Sequence, residues 1–324
     1  TRLNIAVYRN RLQWTELGLR QRIMDVVTRV ELNYYDLSFA LENVKVQEKA
    51  LELAQRLLEE NKKRVEVGTL APLDEKQSES EVSARQADLI SAQQSLTTQE
   101  NLLKRLLSDD FAAWNEVRLV PTESLSAERQ FFNLQDSWSK GLTMRPEFLQ
   151  AKLDVERQGI QVKINKNELY PQLDLKAGGG YSGTTPEFSG VFGDISRGDQ
   201  PSYYIGGQIS YPLGNRTARN SYNASKAEYE VMLLSLKRNE QDIMIAIDEA
   251  INVAKASFDR VNANKKAVEF TQAALDAEQK KLENGKSTSF IVLRIQRDLT
   301  AALSDEIRAL ADYKKYLAQL ALSE

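Results

Sequence analysis

Apolar residues recur at helical spacing along nearly the whole chain and alternate along one short stretch. Val30, Leu37, Val44, Leu51, Leu58 and Val65 fall seven apart, with Val27, Tyr34 and Leu41 as a second row. This heptad predicts a helix from about Ile5 to Glu66, about 90 Å long at ~1.5 Å per residue, supercoiled against neighbouring helices. Val67-Gly68-Thr69-Leu70-Ala71-Pro72 reads as a turn, with Gly68 at a helix C-cap and Pro72 opening the next helix. That second helix is expected to run to Leu107, with Val82, Leu89, Leu96 and Leu103 as its seam. Together the two form a long antiparallel hairpin.

The stretch 172–212 breaks this period. Leu173, Leu175 and Ala177 alternate with Asp174 and Lys176, and Tyr203, Ile205 and Ile209 alternate with Gln208 and Ser210. Period two predicts two strands, joined by a Gly, Ser, Thr and Pro-rich loop over 183–201. A lone hairpin is marginal in water, so this one needs partners. Before it, 108–143 has no clear period and reads as a linker with short helical or strand pieces packed outside the helix hairpin. A helix is then expected from near Arg145-Pro146-Glu147 to Glu168. After the strands, a helix from about Ala218 to Glu283 carries Ile247, Ala254, Val261, Val268, Leu275 and Leu282 at heptad spacing. Asn284-Gly285-Lys286-Ser287 turns into a last helix, Thr288 to Leu322, with Leu303, Leu310 and Leu317 in register.

The two long hairpins are copies. Gly68 and Gly285 lie 217 positions apart (285 − 68). The same offset carries Val30, Leu37, Val44, Leu51, Leu58 and Val65 onto Ile247, Ala254, Val261, Val268, Leu275 and Leu282 without a gap. Val27, Tyr34 and Leu41 land on Met244, Ile251 and Phe258. Thr1 corresponds to Ala218, just after the turn that leaves the strands. The first copy's leading helix and strands therefore have no counterpart here, and the expectation is a C-terminal piece of a longer protein, about two-thirds of it.

Composition narrows the function. There is no cysteine and no histidine, which removes thiol nucleophiles, imidazole bases and the usual zinc ligands. Cysteine-free composition also suits a bacterial envelope protein. No nucleophile–base pairing is apparent, so the reading is not an enzyme, with no cofactor and no metal. Net charge is −3, which gives no field to draw nucleic acid. No apolar run approaches the ~20 residues of a membrane-spanning helix. The domain plan is 1–107 (first helix hairpin), 108–143 (linker), 144–171 (lead-in helix), 172–212 (β-hairpin) and 213–324 (second helix hairpin).

Taken together, Arg145-Pro146-Glu147, Leu169-Tyr170-Pro171-Gln172-Leu173, Tyr211-Pro212-Leu213, the turn Val67-Gly68-Thr69-Leu70 followed by Asp74, and Gly285 followed by Gln296 resemble the TolC family of outer-membrane efflux channels. The resemblance covers essentially the whole chain. It implies a mainly α fold in which a homotrimer combines its long helix hairpins into an α-helical barrel across the periplasm. Each protomer of such a channel gives four strands to a shared twelve-stranded barrel in the outer membrane, and this chain holds one strand pair. The implied lipid face is Leu173, Leu175, Tyr203, Ile205, Ile209 and Tyr211, with Ala177; Asp174, Lys176, Gln208 and Ser210 face the lumen. Residues 108–143 with the C-terminal end correspond to the family's equatorial domain. The implied role is passive exit from a Gram-negative cell in a tripartite efflux or type I secretion system. An inner-membrane pump supplies the energy, and a periplasmic adaptor (membrane fusion) protein docks on Val67, Gly68, Thr69, Leu70, Gly285, Lys286 and Ser287. Family members often carry acidic gate residues six and nine positions after the second turn glycine. Here those positions hold Ile291 and Arg294, while the first copy holds Asp74 and Gln77. An Asp74–Arg294 pair latching neighbouring helices at the aperture is the expectation that follows. The alternative from another class is a coiled-coil scaffold or membrane-surface protein with no pore.

Overall fold

The computed structural model describes residues 2–184, 186, 188–198 and 200–324, without the side chains of Ser189 and Asp194. Its elements are α1 (Arg2–Glu66), α2 (Pro72–Leu107), α3 (Phe111–Trp114), α4 (Leu134–Met144), α5 (Pro146–Asn167), β1 (Gln172–Tyr181), α6 (Phe188–Arg197), β2 (Pro201–Ser210), α7 (Arg216–Glu283) and α8 (Ser289–Ser323). The long helices and both strands lie where the periodicity puts them, to within about two residues at most ends. Among the described residues no helix is long and apolar enough to cross a membrane.

Two compact units divide the chain. One holds the segment up to Leu17 with Phe148–Asn239. Here the start of α1, α5 and the start of α7 are joined by side-chain amides that donate to backbone carbonyls of a neighbouring helix. Asn10 Nδ2 donates to Leu153 O at 2.9 Å, Gln150 Nε2 to Trp14 O at 2.9 Å and Asn165 Nδ2 to Ser221 O at 3.3 Å. Asn215, in the left-handed region at φ 35°, donates to the Glu168 carbonyl and ties the end of the lead-in helix to the start of α7.

The same unit contains the two-stranded antiparallel sheet. Its register pairs Leu173 with Ile209, Ala177 with Ile205 and Asp174 with Gln208. Residues of one parity therefore share a face, as the alternation requires. Tyr211 lies just beyond β2, which runs Pro201–Ser210, so it flanks the strand instead of belonging to it. One further expectation is corrected. The span 183–201 is not loop throughout, because α6 occupies Phe188–Arg197. Its apolar residues Phe188, Val191, Phe192 and Ile195 recur at helical spacing, across Gly190 and Gly193. The aperiodic span 108–143 contains α3 and most of α4 and, among the described residues, no strand. The expected entry to the lead-in helix near Arg145 is a break at Arg145 between α4 and α5, which Pro146 opens.

The other unit holds Gly18–Glu147 and Glu240–Glu324. Apolar clusters run through it. Val44 and Leu51 of α1 pack with Leu89 and Ala92 of α2. Leu57 packs with Leu275 and Leu282 of α7 and Val292, Leu293 and Leu299 of α8. Val261, Ala309 and Tyr313 form another, and Ala127 and Phe258 pack against it. In α7 most of the anticipated seam is buried: Ile247 and Ala254 are fully enclosed and Val261, Leu275 and Leu282 are buried, while Val268 is half-buried. In α1 the seam shifts at its lower end, where Leu57 is buried and Leu58 only half-buried. In α8 the fully buried heptad row is Val292, Leu299, Tyr313 and Leu320, and the expected row Leu303, Leu310, Leu317 is half-buried beside it. The linker packs on this unit through specific bonds. Tyr313 Oη donates to Glu128 O at 2.6 Å, Lys104 Nζ to Asn115 O at 3.2 Å and Ser137 Oγ to Glu324 Oε1 at 2.5 Å.

Candidate functional site at the two helix turns

Both hairpins turn in the same way. Gly68 has φ 72° and Gly285 φ 67°, each in the left-handed region. Gly68 N donates to Val65 O at 2.9 Å and Thr69 N to Arg64 O at 2.8 Å; Gly285 N donates to Leu282 O at 3.1 Å and Lys286 N to Lys281 O at 2.8 Å. This is the two-bond Schellman closure, which satisfies the last carbonyls of α1 and α7. A Cβ at either glycine would meet open space. Glycine is therefore required here by backbone angle and not by crowding. Val67, Gly68 and Thr69 are exposed and Leu70 is half-buried; Gly285 and Lys286 are exposed and Ser287 is half-buried.

The turns lie side by side. Leu57, Leu282 and Val292 share a cluster just above them, and Arg64 Nη1 donates to Leu282 O at 3.4 Å. Beneath sits a polar hub absent from the sequence reading. Asn61 is fully buried, its Nδ2 donates to Ser78 Oγ at 2.7 Å and its Oδ1 accepts from Ser289 Oγ at 2.9 Å. Ser78 Oγ in turn donates to Asp74 O at 2.9 Å. One amide thus joins α1, α2 and α8. Its signal in the sequence is the heptad continuation of Ala40 and Ala54, both buried, into a polar residue. The repeat mate of Asn61 is Glu278, which accepts from Ser287 Oγ at 2.5 Å and pairs with Lys281 at 2.8 Å. Those bonds, Lys281 first, hold its carboxyl below the usual carboxylate range.

One turn further along α2, Glu81 is buried and bridges to α8. Arg85 Nε lies 2.8 Å from Glu81 Oε1, and Arg297 Nε donates to Oε2 at 2.8 Å. Burial opposes ionisation of Glu81, but hydrogen bonds from Arg297 and then Arg85 outweigh it and keep the carboxyl below its ordinary value. A depressed folded-state pKa adds stability above the unfolded value and loses it as pH falls through the folded one. Glu81→Gln should therefore be less stable than the parent in urea at pH 7, and the gap should close as the buffer is acidified below the ordinary glutamate pKa of about 4.3. An equal gap at pH 7 and pH 3 would count against this role.

The four expected aperture residues occupy these helix starts. Asp74 and Ile291 are half-buried; Gln77 and Arg294 are exposed. Among the described residues no ion pair joins Asp74 to Arg294 within the chain. Arg294 adds to the groups that hold the Glu278 carboxyl, on α7, below the usual carboxylate range, after Lys281 and the Ser287 hydroxyl. In the other unit, the hairpin's implied lipid face is uncovered: Leu173 is 74% exposed, Leu175 79%, Ile205 79% and Ile209 75%. Tyr203 is also exposed. The opposite face carries Lys176, whose Nζ donates to Gln208 Oε1 at 2.5 Å.

The family described as outer membrane efflux protein matches residues 1–108 and 139–323. The outer membrane efflux protein BepC of Brucella suis biovar 1 is 23% identical over 304 residues, which cover 93% of this chain and 63% of that protein. The outer membrane protein TolC of Vibrio cholerae is 24% identical over 305 residues, covering 91% of this chain and 66% of that protein. The chain thus spans a little under two-thirds of the length of these relatives. Among solved structures, the Campylobacter jejuni CmeC outer membrane channel superposes with TM-score 0.83 at 14% identity, covering 99% of this chain and 67% of that one. The Vibrio cholerae outer membrane protein VceC gives TM-score 0.80 at 19% identity, covering 99% and 74%. The mainly helical fold with one small antiparallel sheet is the fold of those channels, and the chain belongs to the outer membrane efflux protein family.

Proposed function

We propose that this protein acts as the outer-membrane exit duct of a tripartite efflux or type I secretion system, assembled as a homotrimer in a Gram-negative envelope. The observation that carries this reading is the β-hairpin's uncovered apolar face. A face of Leu173, Leu175, Ile205 and Ile209 set against Asp174, Lys176 and Gln208 suits a wall between lipid and a watery lumen. A two-stranded sheet leaves unpaired edges, and closure into a barrel with other strands removes them. Ile5, Leu12, Leu19 and Val26, seven apart in α1 and all exposed, favour further helix neighbours from other copies. A coiled-coil scaffold with no pore has no use for a hairpin of two polarities.

In this assembly the helix turns would face the periplasm. Val67, Gly68, Thr69, Leu70, Gly285, Lys286 and Ser287 would receive a periplasmic adaptor, through which an inner-membrane pump drives cargo. Asp74, Gln77, Ile291 and Arg294 would approach the aperture. Three copies of Arg294 would place positive charge there, near Glu278 of the same chain, and disfavour cations. Arg294→Asp is expected to raise cation selectivity and conductance in planar bilayers; unchanged current and ion selectivity would remove Arg294 from the gate. The function itself is tested by fractionating cells and taking the native mass of the detergent-extracted protein. Three copies extracted from the outer membrane support the duct, and a monomer recovered away from it supports the scaffold.

A further inference from the structure

The hairpin carries an element that neither its barrel role nor the helix turns account for. α6 lies between the strands and presents Phe188, Val191, Phe192 and Ile195 along one stripe, at spacings of three and four. Phe188 is 81% exposed and Phe192 65%, and the two rings meet edge to face at 5.7 Å. Gly190, Gly193 and Arg197 fall on the opposite side, where Arg197 Nε donates to Gly193 O at 3.2 Å. Two adjacent phenylalanines left bare on a ten-residue helix have a purpose when something apolar covers them.

The position of the helix end identifies the cover. α6 stops at Gly198, in the left-handed region at φ 73°, and a Cβ there would lie 3.3 Å from the Tyr181 ring. Tyr181 ends β1 with the same parity as Leu173 and Leu175, and it pairs with Pro201 at the loop end of the sheet. The C-terminal end of the helix thus lies against the Tyr181 ring, on the side of the sheet that carries Leu173 and Leu175 and that meets lipid if the hairpin is part of a barrel.

We propose that α6 is an interfacial helix whose Phe188, Phe192 and Ile195 stripe inserts into the acyl region just below the lipid headgroups. Tyr181 at the loop end of β1 and Tyr203 near the loop end of β2 stand where an aromatic girdle would stand in a barrel, so a helix joining the two strands lies near the membrane surface. Short amphipathic helices with phenylalanine on one face bind such boundaries. The inference rests on the barrel reading, and the experiment separates the two.

The chain has no cysteine, so single replacements report cleanly. The protein extracted from outer membranes and reconstituted in phosphatidylcholine vesicles would carry a nitroxide at Phe192→Cys, at Leu175→Cys or at Lys176→Cys. Collisions with dissolved oxygen, enriched in acyl chains, would be compared with those of a water-soluble nickel chelate. The expected result is oxygen-dominated collision at Leu175 and Phe192 and chelate-dominated collision at Lys176. Chelate access at Phe192 with oxygen access retained at Leu175 would overturn the helix assignment alone. Protection of Phe192 from both reagents would also overturn it, because the stripe would then be covered by another copy or by the lumen wall. Chelate access at Leu175 would overturn the barrel reading beneath it.

Discussion

Leu275→Ala is expected to lower the unfolding free energy by about 3 kcal/mol. Leu275 is 2% exposed and packs with Leu57, Leu282, Val292, Leu293 and Leu299, at the place where α1, α7 and α8 meet. Alanine removes the contacts of the lost methyl and methylene groups and leaves a cavity that three long helices cannot readily close. The repeat supplies an internal control. Leu58 is the mate of Leu275 but is only half-buried, so Leu58→Ala should cost about 1 kcal/mol. Urea unfolding followed by circular dichroism measures both. Equal costs would mean that the two copies pack alike, which the burial of Leu57 in place of Leu58 argues against.

The second large effect is expected at Asn61. Asn61→Leu keeps the approximate shape and removes both of the hydrogen bonds that Asn61 makes in the hub. Ser78 retains a partner, because its hydroxyl donates to Asp74 O, whereas the Ser289 bond to Asn61 is lost inside the protein. A buried polar group left unmatched costs more than the bond was worth, and the expected destabilisation is about 2 kcal/mol. The triple variant Asn61→Leu, Ser78→Ala, Ser289→Ala removes the unmatched groups and should recover much of that loss. A further consequence is specific to a buried polar residue in a helical seam. With the amide gone, α1 loses the contact that fixes its register against α2 and α8, as single buried asparagines do in coiled coils. The triple variant should therefore be stable yet show weaker amide-exchange protection near the turns. Protection equal to the parent would limit the hub to simple stability.

Much of this architecture is legible in the residues, for identifiable reasons. The seam of α7 is readable because Ile247, Ala254, Val261, Leu275 and Leu282 keep one heptad phase and are all buried. Both turns are readable because a left-handed helix end selects glycine, and Gly68 and Gly285 sit 217 apart. The β-hairpin register is readable because a one-residue slip would place Asp174 and Lys176 among the leucines. The failures have causes as definite. Leu57 displaces Leu58 because α1 has two neighbours, α2 along Val44 and Leu51 and the α7–α8 pair lower down, and a single heptad row cannot describe both. The α6 helix is concealed by two glycines and flanking turn residues, although its apolar spacing was present. Asn61 and Glu81 escape notice because polar residues in a seam resemble solvated positions until their partners on other helices are known. The Asp74–Arg294 latch follows from the family resemblance and concerns neighbouring helices of an assembly; among the described residues no ion pair joins the two within one chain, and Arg294 contributes instead to lowering the pKa of Glu278, whose place in the repeat is that of Asn61.

The duplication gives two hairpins one backbone scheme, and the polar residues beneath the turns make them different. In the first copy a buried amide locks three helices. In the second a carboxylate is held by Lys281 and Ser287 close to an arginine at the proposed aperture. A passive duct needs helices that stay packed while their ends rearrange. The buried amide holds the first turn's helices in register, while the second copy's Glu278–Lys281 pair, whose lysine is exposed, can exchange with water as the helix ends move.

The most direct measurement is the current carried by the protein, purified as a verified trimer from outer membranes, across a planar lipid bilayer. A duct of this kind predicts discrete, uniform conductance steps that scale with salt and shift in ion selectivity when Arg294 is replaced by Asp. A bilayer that stays silent with both the parent and the Arg294→Asp trimer inserted would contradict the account.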